Sequence, residues 1–407
     1  MDLNYGPEYE EFRKEVQEFC KKWDGVNFTK TAVVPMSMSF KETGKTVSRS
    51  EWQSILIDQG YFARSIPKEY GGFGGHSDVI KNRIIASEFS NAKIPPAMGG
   101  QGIDMLVPTL LELGTEDQKK QYIKPTLHGE MIWCQGYSEP NAGSDLASLQ
   151  TKGELIDGNW VINGQKIWTS TAQYSQMMFC LVRTEPDAQK HAGISYLLIP
   201  MDTVGLDVRP LVDMTLKSGF NEVFFTDVTI PEGNIIGKRG EGWAVANATL
   251  GHERGSLTDP NATVNRVNSL IDRMKEETLD GRRLIDIPVY RDKLMALQAK
   301  VMAFQSNSLR VLSSKLNKGQ DTKIAGMIQK LVGTELRHEL EGFAVDVMGE
   351  IGTLYEDSPN LRDNGSWQFL YMLYLGLIIG GGTSQIQKNI ISERGLGMPR
   401  EPKVQGV

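Results

Sequence analysis

Two short segments carry the residue types that can grip an anion and an aromatic ring system. Trp133–Asp145 reads WCQGYSEPNAGSD, with aromatic rings at Trp133 and Tyr137, hydroxyls at Ser138 and Ser144, and a turn at Gly143. Such a stretch can set hydroxyls and backbone N–H groups around an anion such as a pyrophosphate. Ile167-Trp168-Thr169-Ser170 adds an aromatic face and a further hydroxyl. Taken singly, each reads equally well as the end of a hairpin.

Other chemistries find no foothold. The five histidines never pair closely, and there is no His-x-x-x-His or Cys-x-x-Cys, so no metal site is expected. Gly237–Gly242 lacks the order of a dinucleotide loop and follows no βαβ pattern. A phosphate-loop lysine and a G-x-S-x-G elbow are both missing. Lys+Arg is 44 against Asp+Glu 50, a net charge of −6 that argues against nucleic-acid or anionic-membrane binding. Cys20, Cys134 and Cys180 are too few and scattered for a disulfide framework. The start, MDLNYGPEYEEF, shows no secretory pattern, and the longest apolar run, Tyr371–Ile379, is too short to span a bilayer. A cytoplasmic protein is expected.

The elements that must position these segments change texture twice. Over roughly the first hundred residues the pattern is helical: Phe12, Val16, Phe19 and Trp23 share one face of Glu8–Trp23, and helices are also expected over Ile103–Leu113 and Glu116–Ile123, with Thr115 as N-cap. From Glu130 to about Ile236 the runs become short and β-rich. Met178–Val182, Ile194–Ile199 and Glu222–Ile230 read as strands, and Asn163-Gly164 inside Trp160–Trp168 reads as a hairpin turn. Helical texture returns over Glu241–Arg254, Asp259–Glu277, Pro288–Lys318, Lys323–Met348 and Ser384–Arg394, which suggests a bundle. The expected class is α+β in three domains: 1–129 helical, 130–238 antiparallel β, and 239–407 a helical bundle.

The order of the segments resembles the acyl-CoA dehydrogenase family from Phe12 to Arg400. The resemblance rests on WCQGYSEPNAGSD at 133–145, NGQKIWTS at 163–170, NEVFFTDVTIPEGNIIGKRGEGW at 221–243, HERG at 252–255 and GGTSQIQKNIISERGLGMPRE at 381–401. It implies an N-terminal helical domain, a central β domain and a C-terminal four-helix bundle. It also implies FAD as cofactor, an acyl-CoA substrate and an electron-transferring flavoprotein as acceptor. A homotetramer or dimer is implied, with a hetero-oligomer as the alternative.

Residue roles follow from the same resemblance. Gln135, Tyr137 and Ser138 lie beside the flavin ring, and Gly143 and Ser144 face the pyrophosphate. Trp168 covers part of the flavin, and Ser170 reaches N5, which accepts hydride. Thr383 and Gln385 meet the phosphate or ribose portion. The segments 277–288 and 346–350 depart from the family pattern that holds the adenine end.

The family reaction removes a proton from Cα of the thioester while hydride leaves Cβ, so a carboxylate is required. Most relatives carry it where this chain has Gly381. A second family location lies on the first helix of the C-terminal domain, one residue before an arginine, and here reads Glu253-Arg254. Glu253 is therefore the expected base, with Arg254 shaping its surroundings. Ala246, Leu250 and Glu253 share a helix face, and an apolar setting would raise the carboxyl toward neutrality. Gly381 keeps the backbone N–H that holds the thioester oxygen in relatives.

Gly380, Gly381 and Gly382 remove side chains from the expected pocket wall. The expected substrate is therefore a bulky, branched or cyclic acyl-CoA, oxidised to the trans-2-enoyl-CoA. Gln101 lies at the deep end and suits a polar tail. The alternatives are an acyl-CoA oxidase and a non-catalytic or partner-dependent subunit.

Overall fold

A computed structural model describes residues 6–28, 45–256, 259–316 and 322–400, without the side chains of 253–256, 315 and 316. The described chain divides into two compact units, Met1–His252 and Glu253–Val407.

The first unit opens with α1 (Pro7–Lys22), which buries Phe12, Val16, Phe19 and Cys20 at helical spacing. Two-residue strands β1 (Asn27–Phe28) and β2 (Thr46–Val47) pair in parallel. Next come α2 (Arg49–Asp58) and α3 (Val79–Asn91), capped by Ser48 and Asp78. A π-turn, Gly102–Leu106, runs into α4 (Val107–Leu113), followed by α5 (Glu116–Leu127). Thr115 caps α5 as expected, in a reciprocal box with Gln118.

Eight strands follow: β3 (Trp133–Gly136), β4 (Lys152–Ile156), β5 (Asn159–Ser170), β6 (Met177–Arg183), β7 (Ile194–Pro200), β8 (Leu206–Leu211), β9 (Phe220–Pro231) and β10 (Ile235–Ile236). They form one sheet ordered β10-β7-β6-β4-β5-β9-β8, with β3 also on β6. Most neighbours are antiparallel; β3 and β4 meet β6 in parallel. β6 and β7 are buried almost throughout, as their unbroken apolar runs require.

The structure corrects one turn. Asn163-Gly164 lies inside β5, and the β4–β5 hairpin turns at Asp157-Gly158, both at positive φ (47° and 75°). Gly164 sits at a bulge with φ 149°, where a Cβ would fall 2.6 Å from Thr151 Oγ1. Asn163 exchanges hydrogen bonds with Asp227 on β9. The dipeptide therefore serves a bulge and a cross-strand contact instead of a reversal.

Helix α6 (Gly242–Ser256) closes the first unit and contains the division between the two. The second unit continues with α7 (Pro260–Glu276), a small hairpin β11 (Thr278–Leu279) and β12 (Arg282–Arg283), α8 (Pro288–Leu316), α9 (Lys323–Val347), α10 (Ser366–Ile379) and α11 (Ser384–Ile390). α7, α8, α9 and α10 make the four-helix bundle and share one core, including Leu270, Leu297, Leu340 and Trp367. α10 is not among the expected helices, because SWQFLYMLYLGLII has no polar face to reveal a period. Among the described residues no single helix is long and apolar enough to cross a membrane.

Candidate active site

In the first unit, β3 delivers Gln135 and then the Tyr137–Ser138 step. The following turn closes with Glu139 and Ala142 exchanging backbone hydrogen bonds of 3.0 Å. The Glu139 carboxylate is buried and accepts from the N–H groups of Gln150 (2.6 Å) and Thr151 (2.8 Å) and from Lys166 Nζ (2.8 Å). Lys166 also donates to Tyr137 O at 3.1 Å, and the Ile167 N–H donates to Ser138 O at 2.9 Å. These bonds draw the two chemistry-bearing segments together. Burial pushes the Glu139 carboxyl up; the Lys166 charge and the hydrogen bonds from Thr151 and Gln150 outweigh it, so it stays below the usual carboxylate range. Glu139 and Lys166 are not among the residues expected from sequence to serve the site. Their only signal was an ionisable pair within otherwise apolar, turn-rich motifs.

Trp168 stands at a β5 bulge with φ 59°, a region that costs about 1–2 kcal/mol for a residue with a Cβ. Its ring is 59% exposed and edge-on to Phe220 at 6.1 Å. A large aromatic held outward in a strained backbone marks a working position. Ser170 is half-buried two residues on, at the end of β5. Gln135 Nε2 is buried and makes no hydrogen bond among the described residues, an orphan donor that suits a ligand acceptor. Ser138 is half-buried, while Gly143 and Ser144 are exposed, and a Cβ at Gly143 would meet nothing within 4 Å. Tyr137 is buried, edge-on to Phe179 (5.9 Å) and Tyr196 (6.2 Å). Its ring therefore belongs to the wall beneath the motif.

Gln101 precedes the π-turn. Its Oε1 is buried without a hydrogen-bond partner among the described residues. On the turn, Asp104 accepts the Gly100 N–H at 2.7 Å, and burial raises its carboxyl. Gly102 leaves room for Trp133: a Cβ there would lie 2.5 Å from the indole Cδ1.

Helix α6 is anchored at its start. A Cβ on Gly242 would fall 2.4 Å from the Ser195 carbonyl carbon, so only glycine lets the helix begin this close to β7. Two turns from its end, Thr249 Oγ1 lies 3.0 Å from Val245 O, 3.0 Å from Thr109 Oγ1 and 3.3 Å from the Tyr196 hydroxyl. Burial drives the Tyr196 hydroxyl up, while hydrogen bonds to Thr249 and Tyr137 pull the other way. Ala246 is buried and Leu250 packs beside it, as the shared face requires. The backbone of Glu253 and Arg254 continues α6; their side chains lie outside the described residues.

In the second unit, the glycine turn joins α10 to α11. Gly380 ends α10 with its N–H on Gly376 O at 2.8 Å, and Gly381 and Gly382 take φ of 64° and 93°. Thr383 caps α11, accepting from the Ile386 N–H. Its hydroxyl is thus engaged, while Gln385 is exposed. Gln387 Nε2 donates to Gly381 O at 2.9 Å. Lys330 Nζ, from α9, donates to Ile378 O (2.9 Å) and Gly382 O (2.7 Å). The Gly381 N–H makes no hydrogen bond to any described residue.

Known proteins resemble this chain over nearly its whole length. Residues 6–130, 134–228 and 240–396 match the families described as acyl-CoA dehydrogenase N-terminal, middle and C-terminal domain. Acyl-CoA dehydrogenase IpdE1 of Mycolicibacterium smegmatis is 36% identical over 407 residues, covering 97% of this chain and 99% of the relative. Its namesake from Mycobacterium tuberculosis is 35% identical over 398 residues, covering 97% and 99%. Among solved structures, the ChsE4-ChsE5 complex from Mycobacterium tuberculosis has a TM-score of 0.78 at 28% identity, covering 98% of this chain and 100% of that one. A structure described as the Tcur3481-Tcur3483 steroid ACAD has a TM-score of 0.79 at 25% identity, with the same coverage. The chain belongs to the acyl-CoA dehydrogenase family, flavin-dependent oxidoreductases of acyl-CoA thioesters.

Proposed function

We propose that this protein oxidises a bulky cyclic acyl-CoA to its trans-2-enoyl-CoA, with Glu253 as the base. The carrying observation is the glycine turn. Position 381 has no side chain and takes φ 64°, so the turn offers a backbone donor and no carboxylate. The Gly381 N–H receives the thioester oxygen, which acidifies the Cα proton. Glu253, carried on the helix anchored by Gly242 and Thr249, takes that proton. A bound FAD supplies the acceptor for the hydride leaving Cβ. Gln135, Ser138, Gly143, Ser144, Trp168 and Ser170 are the first unit's candidates for holding it, over the wall formed by Tyr137, and Thr383 and Gln385 are the second unit's own candidates. Arg254 keeps the base's surroundings electropositive, and Gly380 leaves space beside the reacting carbons, whereas the Gln387 amide fills the space a Cβ on Gly382 would take. The steroid enzyme among the structural neighbours supports a fused-ring acyl group. Electrons pass on to an electron-transferring flavoprotein in the cytoplasm. The domain division is 1–129, 130–238 and 239–407.

The test is Glu253→Gln under anaerobic mixing with a panel of cyclic and straight-chain acyl-CoAs. The variant keeps its yellow flavin, and bleaching slows at least ~10²-fold. Reduction at the wild-type rate would overturn the base. Reduction by short straight-chain thioesters alone would overturn the substrate class.

A second reading, a subunit that works only with an unlike partner, is favoured by the two-protein names of both structural neighbours. Flavin content and light-scattering mass of the chain expressed alone decide between them. A yellow homo-oligomer that bleaches supports the first reading, and a colourless chain the second.

A further inference from the structure

We infer that Lys330 and Gln387 are positioning residues that hold the glycine turn in its donor conformation. The inference rests on the reading of Gly381 as the thioester-oxygen donor. Three successive glycines form the least constrained backbone a chain can have, and each ordered glycine costs more conformational entropy than any other residue. A donor aimed at a developing charge is useful only when it is fixed beforehand. Something other than the glycines must therefore fix it.

The structure shows what does. The Gly380 N–H is held by Gly376 O at the end of α10. Gly381 O receives the Gln387 amide at 2.9 Å, and Gly382 O receives the Lys330 ammonium at 2.7 Å. A peptide N–H points opposite its carbonyl, so pinning successive carbonyls sets successive amide planes. The Gly381 N–H lies between these pinned planes and has no acceptor among the described residues.

Both holders are buried, Lys330 at 2% exposure and Gln387 at 3%. A lysine at a helix end commonly binds the last carbonyls, which accounts for the bond to Ile378 O. The bond to Gly382 O lies beyond the helix and serves the turn itself. Gly382 also lacks room for a side chain, because a Cβ would lie 2.7 Å from Gln387 Nε2. The turn and its holders are thus fitted to one another.

The test reads the thioester carbonyl directly. Two enoyl products, cyclohex-1-enecarbonyl-CoA and crotonyl-CoA, each labelled with 13C at the carbonyl, are bound to the flavin-loaded enzyme, and the carbonyl stretch is followed by infrared difference spectroscopy. The wild type shifts the band below its position in free CoA ester. Lys330→Met loses at least half of that downshift while retaining flavin and CoA-ester binding, and its kcat falls about tenfold or more with KM little changed. Gln387→Met gives the same loss and carries the test if Lys330→Met fails to fold. A full downshift in either folded variant overturns the positioning role and leaves the Gly381 reading intact. A wild type with no downshift for either ester overturns both.

Discussion

The Lys166 ammonium and the Glu139 carboxylate meet at 2.8 Å, with Lys166 wholly enclosed and Glu139 only 8% exposed. One proton donor thereby ties β5 to the turn that follows β3, and its second bond, to Tyr137 O, fixes where Ser138 begins. Breaking one side of a buried pair strands the other charge. Lys166→Met should cost about 3–5 kcal/mol and lower flavin retention, read as a fall in Tm and in the flavin-to-protein absorbance ratio.

The same pair gives a pH dependence of definite sign. The Glu139 carboxyl lies below the ordinary carboxylate value in the folded protein. Its stabilisation is therefore complete above the unfolded value of about 4.3 and is lost as pH falls through the lower folded value. Flavin release followed by fluorescence should rise across that acid window. In Glu139→Gln the rise should flatten, and an unchanged profile would remove the pair from the explanation.

Restoring a glutamate at position 381 should not restore the common family arrangement. Gly381 takes φ 64°, and a side chain there costs about 1–2 kcal/mol. Gly381→Glu and Gly381→Ala should lower Tm alike, and Gly381→Glu should not rescue flavin reduction in Glu253→Gln. Rescue would show that the turn can relax.

The orphan oxygen of Gln101 predicts a change in selectivity. Gln101→Leu removes a buried acceptor that has no partner among the described residues, so the free enzyme should be unchanged or slightly more stable. In exchange, kcat/KM for acyl groups bearing a distal hydroxyl should fall about tenfold relative to unsubstituted analogues. Equal selectivity in the two proteins would take Gln101 out of the substrate pocket.

Ser170 offers a smaller effect. Ser170→Ala should keep flavin and fold but slow reduction by ten- to a hundredfold, the worth of one hydrogen bond to a group gaining charge. A stopped-flow trace that overlays the wild type would show that the hydroxyl points elsewhere.

Much of this was readable in the chain. The helix over Gly242–Ser256 and the Thr115 cap fall where local pattern places them. The errors and omissions share a cause, which is distance in sequence. Asn163-Gly164 has the composition of a reversal, yet Asp227, 64 residues away, claims the asparagine and keeps the strand running. Lys166 finds its carboxylate 27 residues back, and Lys330 reaches carbonyls 48 and 52 residues ahead. No local window contains both partners, so only the fold reveals why a lysine should be buried. α10 escaped for the opposite reason: it is apolar all round and so carries no period.

The cysteines have a practical consequence. Cys20, Cys134 and Cys180 are all free and buried. Burial pushes their thiols up to about 11, 12 and 12. Thiolate is the reactive form, so all three should stay silent toward maleimides at neutral pH. The native chain can then serve as its own labelling scaffold. A single cysteine placed at the exposed Val204 or Met214 would take a dye or spin label without removal of any natural thiol.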